Sequence, residues 1–185
     1  FDINTLEKTN PFFINFRNSE ILDKILLKNN KVINESGSYT KFNLGIISNL
    51  NFDFFIPNLK TYALKSYITL NCFTAPFGQT INFLKKKDTL FKQNNLDAIL
   101  VALDFNFTGY GKDKNAVKNS FSYIKQIIDI VNSEFKVPCI IQNLTNSTIF
   151  TYGSLDFLMT DSHRHITYEI NSLIKNEIKK NDFNL

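Results

Sequence analysis

The sequence lacks the motifs of metal centres and of disulfide frameworks. Its two cysteines, Cys72 and Cys139, form no CxxC motif and no cluster with histidine, so the metal signatures are missing. Each cysteine lies within an apolar run, which indicates a buried, reduced thiol, the usual state in the cytosol. We therefore expect neither a metal nor another cofactor.

Long apolar runs and a basic stripe are also missing. No apolar stretch is long enough to cross a bilayer. The first ten residues, FDINTLEKTN, lack the basic and apolar regions of a signal peptide. The net charge of +4 comes from lysines spread along the chain, which argues against a nucleic-acid interface. These absences predict a cytoplasmic protein with no nucleic-acid or membrane partner.

The chain has enough apolar residues for one core. Its 185 residues are 43% hydrophobic and 14% aromatic, which suits a single domain. Residues 1–40 are predicted to be a lead-in with one short helix at residues 19–28, whose apolar face includes Ile21. Residues 41–185 are predicted to form an α/β domain.

Four apolar runs of strand length alternate with helical patterns. The runs begin near Lys41, Tyr67, Leu96 and Lys136, and helices are expected after Asn51 and at residues 80–86, 114–132 and 161–180. Continuous apolar runs are typical of parallel strands that are buried on both faces. With right-handed crossovers, the pattern predicts a three-layer α/β/α sandwich with a parallel sheet in the flavodoxin-like order 2-1-3-4. The residues expected in the core are Leu44, Ile46, Leu70, Ile99, Val101 and Ile140.

The chain ends directly after the last predicted helix, where a fifth strand would begin. We therefore expect the sequence to be a fragment of a longer protein.

Polar residues follow the first three predicted strands. In an open parallel sheet, ligands lie at the carboxyl ends of the strands, and the order 2-1-3 makes these three loops neighbours. Asparagine amides can donate hydrogen bonds, and a glycine lets the backbone approach a ligand. Helix capping is the alternative role for these residues. The predicted rim of the cleft consists of Ser48, Asn49, Asn51, Gly78, Gln79, Asp104 and Asn106.

Several segments together resemble the N-terminal domain of FkbH-like proteins. They are LGIISNLNFDFFIPNLKTYAL, FTAPFGQTINFL, LDAILVALD, YGSLDF and the helix around EINSLI, within residues 41–180. The resemblance implies a divergent SGNH-hydrolase-like fold that precedes a HAD-type phosphatase domain. It also implies a part in loading a glyceryl-type acyl group onto an acyl carrier protein, as in polyketide biosynthesis.

The phosphatase motif of that family is absent from the sequence. A HAD site needs the pattern DxDxT after a strand, but Asp104 is followed by Phe105 and Asn106. The resemblance thus implies two partners for this chain, a separate HAD-type phosphatase domain and an acyl carrier protein.

The resemblance also suggests a serine nucleophile. The SGNH pattern has a GDS turn after the first strand, and aligning Ser48-Asn49-Leu50 with it puts Leu50 at the nucleophile position. Ser48 is the nearest hydroxyl, two positions early. Gly78 resembles the glycine of the second block. Asp104 and Asn106 lie near the position of the asparagine that stabilises the oxyanion.

The candidate base is His163. Asp161-Ser162-His163 has the DxH spacing in which an aspartate orients a catalytic histidine. The alternative is a helix start with Asp161 as N-cap. A hydrogen bond between His163 and the Ser48 hydroxyl would favour catalysis.

Three hypotheses follow from the sequence. The first is an accessory or binding domain of an FkbH-like enzyme. The second is an SGNH-type esterase or acyltransferase with Ser48, Asp104, Asn106 and His163 as catalytic residues. The third is a flavodoxin-like binding module, for which the only glycine signal, at Gly109 and Gly111, is weak because no phosphate-loop spacing follows.

Overall fold

Four parallel strands form the sheet in the computed structural model, which describes residues 20–21, 23–24, 28, 39–109, 115–145 and 152–180. They are β1 (Thr40–Ser48), β2 (Ile68–Thr74), β3 (Ala98–Ala102) and β4 (Cys139–Ile141). Their order is β2-β1-β3-β4, and every neighbouring pair is parallel. The predicted order is therefore confirmed. Most of the expected lead-in at residues 1–40, and the place of a fifth strand, lie outside the described residues.

Helices cover both faces of the sheet, as predicted. They are α1 (Ile56–Lys65), α2 (Thr80–Lys85), α3 (Leu90–Gln93), α4 (Ala116–Ile130) and α5 (His163–Lys180). The α4 helix continues as a π-helical turn at Val131–Phe135, and short 3₁₀ turns lie at Phe105–Thr108 and Gly153–Leu155. Of the described helices, none is both long enough and apolar enough to cross a bilayer.

Alternate residues of β1 point to opposite faces of the sheet, and each face has its own core. Leu44 and Ile46 pack with Ala98 of β3 and with Ile56 and Leu59 at the start of α1. Ile47 belongs to the larger core on the other face. That core is completed by residues of β3 and of α2, α3, α4 and α5, among them Ile99, Val101, Leu84, Phe91, Ile124 and Ile170.

A glycine in β1 allows α3 to pack directly on the sheet. A Cβ added at Gly45 would lie 2.7 Å from Cδ1 of Leu96 and 3.0 Å from the Phe91 ring. Phe91 is 1% exposed and packs edge-on to Phe83, with 5.0 Å between ring centroids. Because β1 is one of the two central strands, this close approach holds α3 over the middle of the sheet.

The prediction of a buried Ile140 is wrong, because its side chain is 47% exposed. Ile140 pairs with Leu100 and thus lies on the α1 face of the sheet. Helix α1 packs against β1 and β2, at the opposite end of the strand order from β4. The other predicted core residues are buried, except Leu70 on the edge strand β2, which is half-buried.

The helical residues before β1 lie beside α1, since Asp23 forms a salt bridge with Lys60 at 3.1 Å. Ile21, expected on an apolar face, is 47% exposed. The other members of that expected face lie outside the described residues.

The contrast between Ile99 and Ile140 predicts unequal costs for the same truncation. Ile99 is fully buried, so Ile99→Ala should lower the free energy of unfolding by about 2–5 kcal/mol through lost contacts and a cavity. Ile140→Ala, the matched control on the neighbouring strand, should cost less than about 1 kcal/mol. Urea unfolding measures both. Equal losses would contradict the described layers.

Candidate functional site

Two cavities lie side by side at the carboxyl edge of the sheet. The first, of about 350 Å³, is bounded by loops after β1, β2 and β3 and by α4; we name it the α4-side cavity. The second, of about 480 Å³, lies between the loops after β1 and β2; we name it the β2-side cavity. Ser48 and Phe77 line both. The loops therefore converge, as expected for a parallel sheet.

The side chain of Asn49 joins the loop after β1 to the loop after β3. Its amide nitrogen donates to Oδ1 of Asp104, and its carbonyl oxygen accepts from the Asp104 backbone N–H at 2.7 Å. Asn106 donates to the same carboxylate twice, from its backbone N–H at 3.0 Å and from its side-chain amide at 2.6 Å. Three predicted site residues are thus brought together, but their polar groups bind one another.

Ser48 and Asn51 stabilise the turn after β1. The Ser48 hydroxyl accepts from the Leu50 backbone N–H at 3.0 Å, and Oδ1 of Asn51 accepts from the Asp53 N–H at 3.0 Å. Such short-range contacts are common for serine and asparagine in turns. Neither residue is the N-cap of α1, which begins instead after Phe55, without a side-chain cap and with Pro57 in its first turn.

Gly78 and Gln79 differ in position. Gly78 lines the α4-side cavity and has φ of +71°, a left-handed conformation that favours glycine. Gln79 lines neither cavity and stands at the N-cap of α2, where its backbone carbonyl accepts from the Phe83 N–H at 2.8 Å. No contact with either cavity therefore supports the predicted binding role of Gln79, whereas Gly78 does line the α4-side cavity.

His163 lies at the start of α5, where its ring stacks on Phe105. The two ring centroids are 3.3 Å apart with 28° between the planes, and Nδ1 lies 3.5 Å from Oγ1 of Thr167. Burial lowers the pKa of His163 below its ordinary value, and the charge of Asp156 opposes this shift. These contacts do not join the ring to the Ser48 hydroxyl, and His163 lines neither cavity. The catalytic pairing of Ser48 with His163 stays a prediction.

The DSH motif forms the start of α5, but its capping residue is Ser162 rather than Asp161. The fully buried Ser162 accepts from the His165 backbone N–H at 3.0 Å through its hydroxyl, which also donates to the Asp156 carbonyl. Asp161 instead accepts from the Tyr152 hydroxyl at 3.1 Å. The short side chain of serine reaches the backbone N–H of the third residue of the helix, which is why Ser162 can act as the N-cap.

Neither cysteine suits nucleophilic chemistry. Burial raises the pKa of Cys72 to about 11 and that of Cys139 to about 12. Since the thiolate is the reactive form, both are unreactive near neutral pH. The part of the chain that the structure describes also contains no group of three or more His, Cys, Asp or Glu that could hold a metal ion.

The sequence did not reveal the wall that α4 gives to the α4-side cavity. Asn119, Ser120 and Tyr123 line it, together with Thr80 and Thr108. The sequence did contain one indication of this wall. Ser120 stands four residues after Ala116 and four before Ile124, on the buried face of α4. A serine in an otherwise apolar stripe is a polar group that needs a partner on the core side.

Comparisons with known proteins show the fold alone. No family model matches the chain, and no curated protein matches it at a significant level. A solved structure does: the N-terminal part of the protein BF1531 from Bacteroides fragilis, described as containing a phosphatase domain and complexed with Mg. The TM-score is 0.63 at 8% sequence identity, over 97% of this chain and 43% of that chain. This chain thus spans less than half of that structure.

The partial burial of His163 predicts a pH-dependent stability. Because burial favours the neutral ring, the unfolded chain binds a proton more readily, so stability should fall as the pH drops below the ordinary value of 6.5. His163→Phe keeps a ring on Phe105 but cannot titrate, and should lose less stability between about pH 7.5 and about pH 5.5. Urea unfolding at both values is the measurement. The same loss of stability in wild type and in His163→Phe would contradict the assignment of the pH dependence to His163.

Proposed function

We propose that this chain is the N-terminal SGNH-like domain of an FkbH-like enzyme that loads a glyceryl-type acyl group onto an acyl carrier protein, and that the domain binds rather than catalyses. Three features support the proposal. The sequence resembles such domains over residues 41–180. Its parallel α/β fold is the expected one. The solved structure of similar fold is the N-terminal part of a protein with a phosphatase domain.

The observation that carries the binding role is how the candidate catalytic groups are used. The Asp104 carboxylate accepts from Asn49 and Asn106. The His163 ring packs on Phe105. A serine nucleophile needs a base within hydrogen-bond reach, and that base needs an orienting partner. The Ser48 hydroxyl accepts from the Leu50 N–H, and two cavities that could hold a bound group lie beside it.

Exposed apolar side chains around the β2-side cavity support a protein partner. Leu50, Phe54, Phe55 and Phe77 are 47%, 60%, 54% and 73% exposed, on the loops after β1 and β2. Of these four, Leu50 and Phe77 line the cavity, and exposed apolar groups at a cavity are typical of interaction sites. In this proposal the carrier protein docks here, and a HAD-type domain elsewhere in the whole protein supplies the phosphatase chemistry.

A second candidate function is an SGNH-type esterase or acyltransferase. One observation favours it, since Ser48 lines both cavities and would meet a ligand in either. It requires a base within hydrogen-bond reach of the Ser48 hydroxyl, the role that the sequence predicts for His163.

The two candidates differ in the effect of Ser48→Ala. If the domain only binds, wild type and Ser48→Ala should hydrolyse p-nitrophenyl acetate equally, at the background rate. Ser122→Ala, which removes a hydroxyl from an exposed position on α4, is the control. A robust wild-type rate that Ser48→Ala abolishes and Ser122→Ala leaves intact would establish the esterase instead.

Carrier binding is tested by titrating the domain with a glyceryl-loaded acyl carrier protein. Phe77→Asp should weaken binding by more than about tenfold, because it places a charge in an apolar contact. Leu158→Asp introduces the same charge at a side chain that is 76% exposed, against 73% for Phe77, and should bind like wild type. No binding by wild type, or equal binding by the two variants, would refute this docking surface.

A further inference from the structure

The two cavities lie on opposite faces of the sheet, on either side of the end of β1. The β2-side cavity is lined by Ile46 and Phe52, which belong to the core that packs against α1. The α4-side cavity is lined by Leu103, a member of the core on the other face, and by Tyr123 of α4. A ligand that occupies both cavities therefore lies across the carboxyl edge of the sheet. In open parallel sheets, ligands bind at this edge, where helices leave neighbouring strands on opposite faces.

The two cavities meet at Ser48 and Phe77, because these two residues line both. Ser48 ends β1, and Phe77 lies on the loop after β2. The hydrogen bonds between Asn49 and Asp104 bridge the loops after β1 and β3. A ligand that extends from one cavity into the other therefore passes between Ser48 and Phe77, which we name the neck.

The Phe77 side of the neck is loosely held. Phe77 is 73% exposed, so turning its ring aside sacrifices little buried apolar area. The turn that carries Phe77 is closed by a hydrogen bond from the Gln79 N–H to the Pro76 carbonyl at 3.5 Å, which is long for such a bond. The ring can thus make room for the narrow part of a ligand.

The two cavities offer different contacts to a ligand. Ile46, which is fully buried, gives the β2-side cavity an apolar floor, and Leu50 and Ala75 lie around it. Hydroxyl groups are a feature of the α4-side cavity, where they belong to Thr80, Thr108, Ser120 and Tyr123. Volumes of about 480 Å³ and about 350 Å³ are in the lower half of the range for ligand pockets, about 300–1,000 Å³. The pair therefore suits a ligand with two parts joined by a narrow linker.

We propose that the two cavities form one site for an elongated ligand, an acyl group joined through a thioester to a pantetheine arm. The arm lies along the apolar floor of the β2-side cavity, and the thioester lies at the neck. The acyl group reaches the hydroxyl groups of the α4-side cavity. This inference rests on the proposed function, which supplies the ligand and places the carrier protein beside the β2-side cavity. It adds the path and the orientation of the loaded arm.

A ligand of two joined parts tests this site. The joined probe is the amide analogue of glyceryl-pantetheine, in which an NH group replaces the thioester sulfur. Pantetheine and glyceramide are the separate parts, and each compound is titrated into the full chain by calorimetry. Because joining two parts makes the second contact intramolecular, the joined probe should bind at least about tenfold more tightly than the tighter part. Equal affinity, or no binding of the joined probe, would refute the joint site.

One substitution in each cavity locates the joined probe. Tyr123→Phe removes a hydroxyl from the α4-side cavity, and Leu50→Ala shortens a side chain of the β2-side cavity. Each should weaken the joined probe by about fivefold. The controls Tyr168→Phe and Leu158→Ala remove the same groups from side chains that are 59% and 76% exposed, and should have no effect. Circular dichroism verifies that each variant is folded. If Tyr123→Phe or Leu50→Ala leaves the affinity unchanged, the probe does not occupy both cavities and the proposal is refuted.

The outcome is separable from that of the proposed function. If the joined probe binds across both cavities while the glyceryl-loaded carrier protein does not bind, the joint site stands and the carrier role fails. If the carrier protein binds through Phe77 while the joined probe binds no more tightly than its parts, the carrier role stands and the joint site fails.

Discussion

The site depends on one contact, the reciprocal pair of hydrogen bonds between Asn49 and Asp104. The ladder between β1 and β3 prepares it, because Ser48 is paired with Ala102 at the end of both strands. The segments that follow β1 and β3 then leave the sheet side by side, and Asn49 and Asp104 are the residues that meet. Since Asn49 uses both of its polar atoms in this contact, the turn after β1 is held against the loop after β3. Ser48 is thereby kept at the junction of the two cavities.

The same contact engages the carboxylate that the sequence predicted to be catalytic, that of Asp104. The Asp104 carboxylate accepts three hydrogen bonds from asparagine groups and is held in place by them. His163, the predicted base, stacks its ring on Phe105 at the start of α5. Among the described residues, the lining of the α4-side cavity consists of amides, hydroxyls and apolar walls, two of them aromatic.

The sequence predicted the layers and the strand order because both follow from short-range patterns, apolar runs of strand length separated by helical periodicity. It also placed Asn49, Asp104 and Asn106 at one edge, since the topology alone brings those loops together. It failed where the outcome depends on distant neighbours. Ile140 is as apolar as Ile99, but α1 does not extend over β4. Asp161 and Ser162 are both good capping residues, and only the fold around Asp156 selects the serine. The α4 wall of the cavity was likewise hidden, because no local pattern tells which loops a helix faces.

The most direct test of this account is a double-mutant cycle on Asn49 and Asp104. The free energy of unfolding is measured by urea titration for wild type, Asn49→Ala, Asp104→Ala and the double variant. If the contact joins the two loops, the double variant should lose less stability than the sum of the single losses, with a coupling free energy of about 1 kcal/mol or more. Losses that add to within about 0.3 kcal/mol would show that the two side chains act independently, and would contradict the account.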